Sequence, residues 1–542
     1  MPVMVLRRGI PPRSRDSFAR GMRLIAALLA TLSTSVSALT APTFLDFGAD
    51  FVFGVVQDSY QFEGSLTAGG AGVSHLHTWC AWNLNEPNNG GWKLCGDVGA
   101  GFYEHMREDV ALMSALGQRH LHFQVAWQRI FPDGGEAPNE AGLAFYDALV
   151  DELVAHNITP WVSLEVFDFP QSFQSDWGGW LGLPMVAEYR RLAETLFSRL
   201  GDRVKRWFSF HEPNSLCASY PNGGRFIGPR PNVNDSSVQD PMRDHYTCTY
   251  VMLLAHAEAA AALRVSAHGA DSEISIISDA SWLEVNTTSA ADAAAVDRYM
   301  VWRLGAWFEP LITGQWPPEM VLAAGDRLPA FTPAQSAALR NSTAAIGVNH
   351  YSSFIGAAVP DATFPCPTPQ PGHTADAFEY DACVVLFCDS RCGPNPNPHL
   401  TWLHNHPPGM RAVLNWMSRR YPGTPILVAE SGVGLDGGSG GDPLSSGDFD
   451  VDINDGAKID YLRAYWTEAW LAKTVDGVDL RGIFHWSFLD NLEWNSGYSA
   501  HFGVVHVNHS RADLQRTPKT SALWLANVVA RNGFEANLSL TV

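Results

Sequence analysis

The chain has few basic residues for its length. Its 542 residues include 36 Lys and Arg against 56 Asp and Glu, which gives a formal net charge of −20 at pH 7. Such a charge repels nucleic-acid phosphates and anionic lipid headgroups, and no basic face is evident beyond the arginine-rich N-terminus. We therefore expect no nucleic-acid partner.

Signatures of nucleotide cofactors and of bound metals are also missing. No G-x-G-x-x-G or P-loop segment stands where a predicted strand enters a helix. His75-x-His77 and His404-x-His406 lack a third ligand at convincing spacing, and the segment Cys383 to Cys392 lacks the paired C-x2-C spacing of a zinc site. We expect neither a cofactor nor a metal.

The apolar run near the N-terminus is short. Leu24 to Leu32 follows an arm rich in arginine and precedes Val36-Ser37-Ala38, which has the small residues of a signal-peptidase site. A span of the bilayer takes roughly 20 apolar residues. We therefore predict a signal or targeting segment over residues 1–38, a secreted or secretory-lumen protein, and no stable membrane insertion. A vacuole or another organelle stays open as the destination, and a retained membrane anchor is the alternative.

Cysteine is scarce but even in number. The eight cysteines suit disulfides in an oxidising compartment. Cys80 with Cys95, and Cys217 with Cys248, are the predicted local pairs, and the other four lie close together in one loop. Six Asn-x-Ser/Thr sequons add the prediction of a glycoprotein.

Short apolar runs alternate with longer amphipathic stretches from Phe44 onward, which is the pattern of a barrel of strands and helices. The predicted strands are Val52 to Val56, Leu121 to Ala126, Thr159 to Leu164, Arg206 to Phe210, Ile274 to Ser278, Ala345 to Asn349, Pro425 to Ala429 and Gly482 to Trp486. We predict an α/β fold: a single (β/α)8 TIM barrel over residues 39–542, with extended loops on the catalytic face.

Two stretches break this alternation. Pro360 to Pro398 is rich in proline and cysteine, and Gly434 to Gly447 is rich in Gly, Ser and Asp. Both follow predicted strands on the catalytic side, so we expect them to form walls or a lid over a pocket. Surface loops without a role in the pocket are the alternative.

Two glutamates end predicted strands. Glu212 follows the apolar run ending at Phe210, and Glu430 follows the run ending at Ala429. The carboxyl ends of barrel strands are where chemistry is done. A pair of carboxyl groups is what cleavage of a glycosidic bond requires, one to donate a proton and one to support or attack the anomeric carbon. The pair therefore predicts an enzyme that acts on sugars.

The sequence resembles the family 1 glycoside hydrolases, a family of (β/α)8 barrels, from about Phe44 to Asn532. The motifs that carry the resemblance are Phe51-Val52-Phe53-Gly54, Gln61-Phe62-Glu63-Gly64, Trp127-Gln128-Arg129-Ile130-Phe131-Pro132, the segments around Glu212 and Glu430, Trp486-Ser487-Phe488-Leu489-Asp490-Asn491-Leu492-Glu493-Trp494 and Phe502-Gly503-Val504. The block that starts at Trp486 is the most specific of them.

The resemblance implies a role for each matching residue. It implies that Glu212 is the acid/base, Glu430 the nucleophile and Tyr351 the hydroxyl that orients the nucleophile. The residues that it assigns to the substrate are Gln61, Trp486, Glu493, Trp494 and Phe502. A carboxylate at position 493 disfavours a phosphosugar, because it would repel the phosphate. The expected partner is a small-molecule β-glycoside.

The chain departs from the family at three positions of the expected pocket. His122 stands where the family has an arginine beside the nucleophile, Val166 where it has a sugar-binding histidine, and His211 where it has an asparagine. A histidine supplies the lost positive charge only when protonated, so we expect activity to favour acidic pH, with His122 and His211 tuning the carboxyl groups. Val166 cannot bind a hydroxyl, which indicates a different sugar. Glu165 is expected to point away from the pocket.

The sequence thus predicts a retaining β-glycosidase that hydrolyses β-glucosides, β-galactosides or β-fucosides by double displacement. Two alternatives stay open. In the first, the chain is a sugar-binding protein that has lost its catalytic activity. In the second, it is a transglycosylase that passes the sugar to an alcohol or lipid acceptor, because the less polar pocket excludes water.

Overall fold

Eight parallel strands close into a barrel, as predicted. They are β1 (Val52–Gln57), β2 (His120–Gln124), β3 (Thr159–Ser163), β4 (Arg206–His211), β5 (Glu273–Asp279), β6 (Ile346–Asn349), β7 (Ile426–Ser431) and β8 (Leu480–His485). Neighbours in sequence are neighbours in the barrel, and β8 closes the ring by pairing Gly482 with Val52 of β1.

The computed structural model describes residues 44–84, 94–220, 240, 242–367, 377–436 and 453–536. The predicted leader over residues 1–38 and most of the predicted insertion Gly434 to Gly447 lie outside the described residues. The chain divides into a large unit, Leu45–Phe534, and a small unit made of Met1–Phe44 and Glu535–Val542. The barrel and the site described below belong to the large unit.

A long helix follows each barrel strand. These helices are α1 (Phe102–Ala115), α2 (Glu140–Ala155), α3 (Pro184–Leu200), α4 (Asp244–Val265), α5 (Ala290–Met300), α6 (Pro408–Arg420), α7 (Gly456–Thr474) and α8 (Thr520–Arg531). Local sequence explains several of their starts. The Asn139 side chain accepts from the Ala141 N–H and caps α2, and Pro184 opens α3 with a suitable φ.

Shorter elements decorate the barrel. The additional helices are Ser59–Phe62, His75–Leu84, Trp127–Ile130, Gln171–Trp177, Pro213–Cys217, Ala306–Thr313, Pro318–Ala324, Pro333–Leu339 and Ala377–Asp381, with a π-helical turn at Val301–Gly305. The additional strands are Phe44–Asp46, Trp282–Val285, Ser353–Ala358, Val384–Phe387, Leu435–Asp436, Ala500–His501, Val505–Val507, Arg516–Pro518 and Gly533–Glu535.

Aromatic rings fill the barrel interior beneath the carboxyl ends of the strands. Trp161 of β3 packs with ring centroids 5.3 Å from Phe484 of β8 and 6.0 Å from Phe208 of β4. Gly54 of β1 makes room for this layer, because a Cβ there would lie 2.4 Å from the Phe484 ring. His122 of β2 belongs to the same layer, 4.7 Å from Phe208. The layer forms a rigid floor under the candidate site.

Helix α4 is the one described helix that is long and apolar enough to cross a membrane, and 72% of its most apolar window is buried inside the protein. It packs against helix α3. A helix buried in the core of a protein has the same length and composition, so this helix is weak evidence for a membrane.

All eight cysteines are paired. The predicted disulfides Cys80–Cys95 and Cys217–Cys248 are present, and the remaining four cysteines form Cys366–Cys383 and Cys388–Cys392. The last two disulfides lie within the insertion Pro360 to Pro398. None of the described residues of that insertion lines the cavity described below, so within this part of the chain the expectation of a wall or lid is not met.

Candidate active site

Glu212 lies directly after barrel strand β4. Its backbone has φ 53° and ψ 45°, a left-handed conformation that costs a residue other than glycine about 1 kcal/mol or more. Its N–H donates to the carbonyl of Ile277 on β5, 3.1 Å away, and Pro213 then starts a short helix. Strained residues held in this way are typical of functional sites.

Glu430 lies in strand β7, whose pairing is irregular at this point. The register with β6 shifts between Val428 and Glu430, and the register with β8 shifts between Val428 and Ser431. Irregularities of this kind re-aim a side chain. The Tyr351 hydroxyl donates to Glu430 Oε2 at 2.5 Å, and His211 Nε2 lies 2.8 Å from Glu430 Oε1.

An amide and an imidazole bridge the two glutamates. Asn349 Nδ2 donates to Glu212 Oε1 at 2.7 Å and lies 2.6 Å from His211 Nε2, the same atom that contacts Glu430. These three contacts form a continuous chain, so Glu212 Oε1 and Glu430 Oε1 are no farther apart than the sum of the three distances. The structure therefore brings the two predicted carboxyl groups into one site.

Burial dominates the electrostatics of the pair. Burial raises the pKa of Glu430 to about 8, with the Tyr351 hydrogen bond opposing the shift and Asp279 adding to it. Burial also raises the pKa of Glu212 well above its ordinary value, with further increases from Asp279 and from Glu430 itself. Both carboxyl groups thus resist ionisation, and each makes ionisation of the other less favourable.

A cavity of about 200 Å³ opens beside the two glutamates. Nine of the ten residues predicted for the site line it. They are Gln61, His211, Glu212, Tyr351, Glu430, Trp486, Glu493, Trp494 and Phe502. The tryptophans are held by neighbouring rings, Trp494 stacked on Tyr60 and Trp486 edge-on to Phe62. The sequence block from 486 to 494 therefore forms one wall of the cavity.

His122 is the predicted site residue that does not line the cavity. It lies in the aromatic floor, stacked on His211 with ring centroids 5.2 Å apart, and its Nε2 contacts the Ser163 hydroxyl at 2.7 Å. Burial lowers its pKa well below the usual value, and His211 adds to the effect. The imidazole in contact with Glu430 belongs to His211, so the expected acidic preference through a protonated His122 has no support in this geometry.

Two acidic residues of the cavity were not predicted. Asp58 follows β1 and Asp279 ends β5, and both line the cavity. Asp279 is bound by the Arg303 guanidinium and accepts from the Ser215 hydroxyl at 2.7 Å. The signal that identified Glu212, an acidic residue at the end of an apolar run, was available for both.

The neighbouring pair Glu165 and Val166 divides as predicted. Val166 lines the cavity, whereas Glu165 does not and is completely buried elsewhere. Burial raises the pKa of Glu165 well above its usual value, and Asp168 contributes to the shift. The sequence prediction that Glu165 points away from the pocket is confirmed.

A buried ionic cluster contacts the backbone of Phe502, a residue that lines the cavity. Asp490 Oδ2 is 3.0 Å from both His501 Nδ1 and His506 Nδ1, a grouping that has the spacing of metal ligands. Lys519 Nζ already donates to Asp490 Oδ1 at 2.7 Å. Since an ammonium beside the carboxylate repels a metal cation, the cluster fits a structural role. Lys458 Nζ completes it by donating to the carbonyls of Phe502 and the residues on either side.

Known proteins resemble this chain over most of its length. The family model for glycosyl hydrolase family 1 matches residues 45–534. Beta-glucosidase 28 of Arabidopsis thaliana is 32% identical over 486 residues, 88% of this chain and 80% of the plant protein. A chloroplastic wheat (Triticum aestivum) beta-D-glucosidase for a benzoxazinyl glucoside, isoform 1d, is 33% identical over 491 residues, covering 89% of this chain and 83% of its own.

Solved structures give the same result. A mutant of the rice Os3BGlu6 beta-glucosidase, in a covalent complex with Glc from GA4GE, superposes with a TM-score of 0.79 at 29% identity. That comparison covers 89% of this chain and 98% of the rice chain. Homologues named beta-glucosidases thus share the barrel, which supports O-glycosyl hydrolase activity. With a family model that spans the whole barrel, the chain belongs to glycosyl hydrolase family 1.

Proposed function

We propose that the protein is a retaining β-glycosidase in which Glu430 is the nucleophile and Glu212 the acid/base. The observation that carries this proposal is that the two carboxyl groups share one cavity and are linked through Asn349 and His211. Two groups close together, one protonated and one ionised, are what double displacement needs.

The electrostatics favour this division of roles. Burial raises the pKa of Glu212 well above its usual value, and Asp279 and Glu430 add to this shift against the opposing Asn349 hydrogen bond. Burial and Asp279 also raise the pKa of Glu430, but only to about 8, because Tyr351 donates to its ionised form. Glu430 therefore loses its proton more easily, and Glu212 keeps one to donate. Glu430 attacks the anomeric carbon as Glu212 protonates the leaving oxygen. Glu212 then takes a proton from a water molecule that attacks the glycosyl ester, releases the sugar and frees Glu430.

A fluorosugar experiment tests the nucleophile. The wild-type protein is incubated with activated 2-deoxy-2-fluoro β-glycosides of glucose, galactose and fucose, and the labelled peptide is identified by mass spectrometry. We expect one added sugar on Glu430 and none in Glu430→Ala. Glu165→Gln is the matched control, because it changes a buried carboxyl group outside the cavity. A label on another residue, or equal turnover by Glu430→Ala and wild type, would refute the assignment.

A second experiment tests the acid/base. Glu212→Gln removes the proton donor, so it should slow substrates with a poor leaving group much more than dinitrophenyl glycosides, whose leaving group needs no proton. Added azide should then yield a β-glycosyl azide, because it replaces the water that Glu212 would activate. Equal slowing of all substrates, with no azide product, would contradict the role.

The same assays separate the two alternative functions. A decayed sugar-binding protein would be stabilised by sugars but would turn over none of the glycosides. A transglycosylase would transfer the sugar to added alcohol in preference to water, which product analysis detects. We favour a catalytically active enzyme over a decayed one because both carboxyl groups are retained in one cavity.

We also propose that residues 1–38 are removed and that the protein works in a secretory or organelle lumen, as a glycoprotein. Four disulfides within the described residues support an oxidising compartment. The N-terminal sequence and glycan content of protein isolated from its own cells test this. A mature N-terminus upstream of the predicted cleavage site would contradict it.

A further inference from the structure

Asp58 is an acidic side chain of the cavity that the proposed reaction does not use. It follows strand β1, lines the cavity and is 7% exposed. Its carboxylate makes no hydrogen bond to any described residue, and His211 Nδ1 lies 3.9 Å from its Oδ1. A buried carboxylate without a hydrogen bond is unfavourable, so its position facing the cavity points to a ligand.

The described residues that line the cavity carry several acidic groups and a single imidazole, that of His211. The described lining includes five carboxyl groups, those of Asp58, Glu212, Asp279, Glu430 and Glu493, and no lysine or arginine. Arg303, which does not itself line the cavity, neutralises Asp279. Glu430 accepts a hydrogen bond from the Tyr351 hydroxyl. Among the described residues, Asp58 has neither an arginine nor a hydrogen bond. Burial raises its pKa to about 7, His211 opposes this shift, and the carboxylates of Glu430 and Glu493 add to it. A cation in the cavity would relieve this repulsion.

The hydrogen-bonding groups of the cavity point to the same class of ligand. Gln61 Nε2 already donates to Asn491 and to the Leu492 carbonyl, and Asn349 Nδ2 is already engaged, which leaves the amide oxygens as acceptors. The buried Asn349 Oδ1 has no partner among the described residues. The cavity is therefore rich in acceptors. An ammonium group donates three hydrogen bonds and accepts none.

We propose that Asp58 binds a protonated amino group on the sugar, so that the preferred substrates are β-glycosides of amino sugars with a free amine. This inference rests on the proposed glycosidase function. The amine belongs on C2, the carbon next to the anomeric centre. The reason is that a carboxylate oxygen of Asp58 and one of Glu430 lie within 4.8 Å of each other, beside the same His211 imidazole.

The test compares matched aryl glycosides slightly above neutral pH. The substrates are para-nitrophenyl β-glucosaminide, its N-acetyl derivative and para-nitrophenyl β-glucoside, together with the corresponding galacto series. The readout is the ratio of kcat/KM for the free amine to kcat/KM for the hydroxyl compound. Wild type, Asp58→Asn and the control Glu165→Gln are compared, because both variants exchange a buried carboxyl group for an amide.

We expect the ratio to exceed one in wild type and in Glu165→Gln for at least one sugar series. In Asp58→Asn it should fall about tenfold or more, since a hydrogen bond between charged groups contributes at least that factor. A wild-type ratio of one or less in both series would overturn the inference. So would a ratio unchanged in Asp58→Asn, or preference for the N-acetyl compound, whose amide is bulkier and carries no charge.

Binding separates this inference from the proposed function. Methyl β-glucosaminide and methyl β-glucoside, and the galacto pair, are titrated into each protein by calorimetry. Amine-selective binding that disappears in Asp58→Asn supports the site even if no glycoside is hydrolysed, in which case only the glycosidase proposal fails. Hydrolysis without amine selectivity leaves the glycosidase proposal intact and overturns the role of Asp58.

Discussion

Replacing Tyr351 by phenylalanine removes the hydroxyl that donates to Glu430 Oε2 at 2.5 Å. That bond stabilises the ionised carboxylate and opposes the effect of burial, which raises the Glu430 pKa to about 8. Without it the pKa rises further. A hydrogen bond to a charged group contributes about 1.5 to 3 kcal/mol, so kcat/KM near neutral pH should fall about ten- to a hundredfold.

The assay is the pH dependence of kcat/KM with an aryl β-glycoside. The proposed nucleophile works when ionised, so activity is lost as the pH falls through the Glu430 pKa. We expect the wild-type acid limb near pH 8 and a limb at higher pH in Tyr351→Phe. Tyr246→Phe is the control, because its hydroxyl also bonds a buried carboxylate, Asp381 Oδ2 at 2.6 Å, outside the cavity. Identical limbs in Tyr351→Phe and wild type would refute this reasoning.

Three further predictions concern stability and the floor of the site. Arg129→Met should lower the free energy of unfolding by about 3 to 5 kcal/mol, because Glu63 then stays buried without the guanidinium that lies 2.6 Å from it. Urea denaturation checks this: the midpoint should fall and should be partly restored when Glu63→Gln is added. Replacing Cys80 and Cys95 by serine should lower the free energy of unfolding by about 3 kcal/mol, since the disulfide joins residues with a sequence separation of 15. An unchanged Tm would contradict this prediction. His122→Gln should leave the acid limb where it is, because burial already keeps that imidazole neutral, and a shifted limb would show that it titrates.

The fold was predictable because each barrel strand is a separate apolar run. The barrel strands differ from their predicted ranges by one or two residues at one or both ends. The short surface elements were not predicted. They depend on contacts with distant parts of the chain, as in the sheet that joins Trp282–Val285 to Ser353–Ala358.

The candidate site was predictable where a residue both belongs to a motif and ends a strand. Glu212, Glu430 and the wall from Trp486 to Trp494 satisfy these conditions, and all lie at the cavity. Asp58 was missed although it follows an apolar run as Glu212 does, because it lies outside the family motifs. His122 was placed in the pocket, yet its side chain lies in the floor beneath it.

The sequence by itself determined the alternation of strands and helices, the identity of the family motifs and the two local disulfides. These follow from periodicity and spacing along the chain, which need no partner in space to be read. Only the tertiary structure decided which imidazole touches Glu430, which side chains shift the pKa of each glutamate, and that Asp58 faces the cavity without a hydrogen bond. Those properties depend on distance and burial, because groups far apart in sequence set the local dielectric and charge only once the barrel has closed.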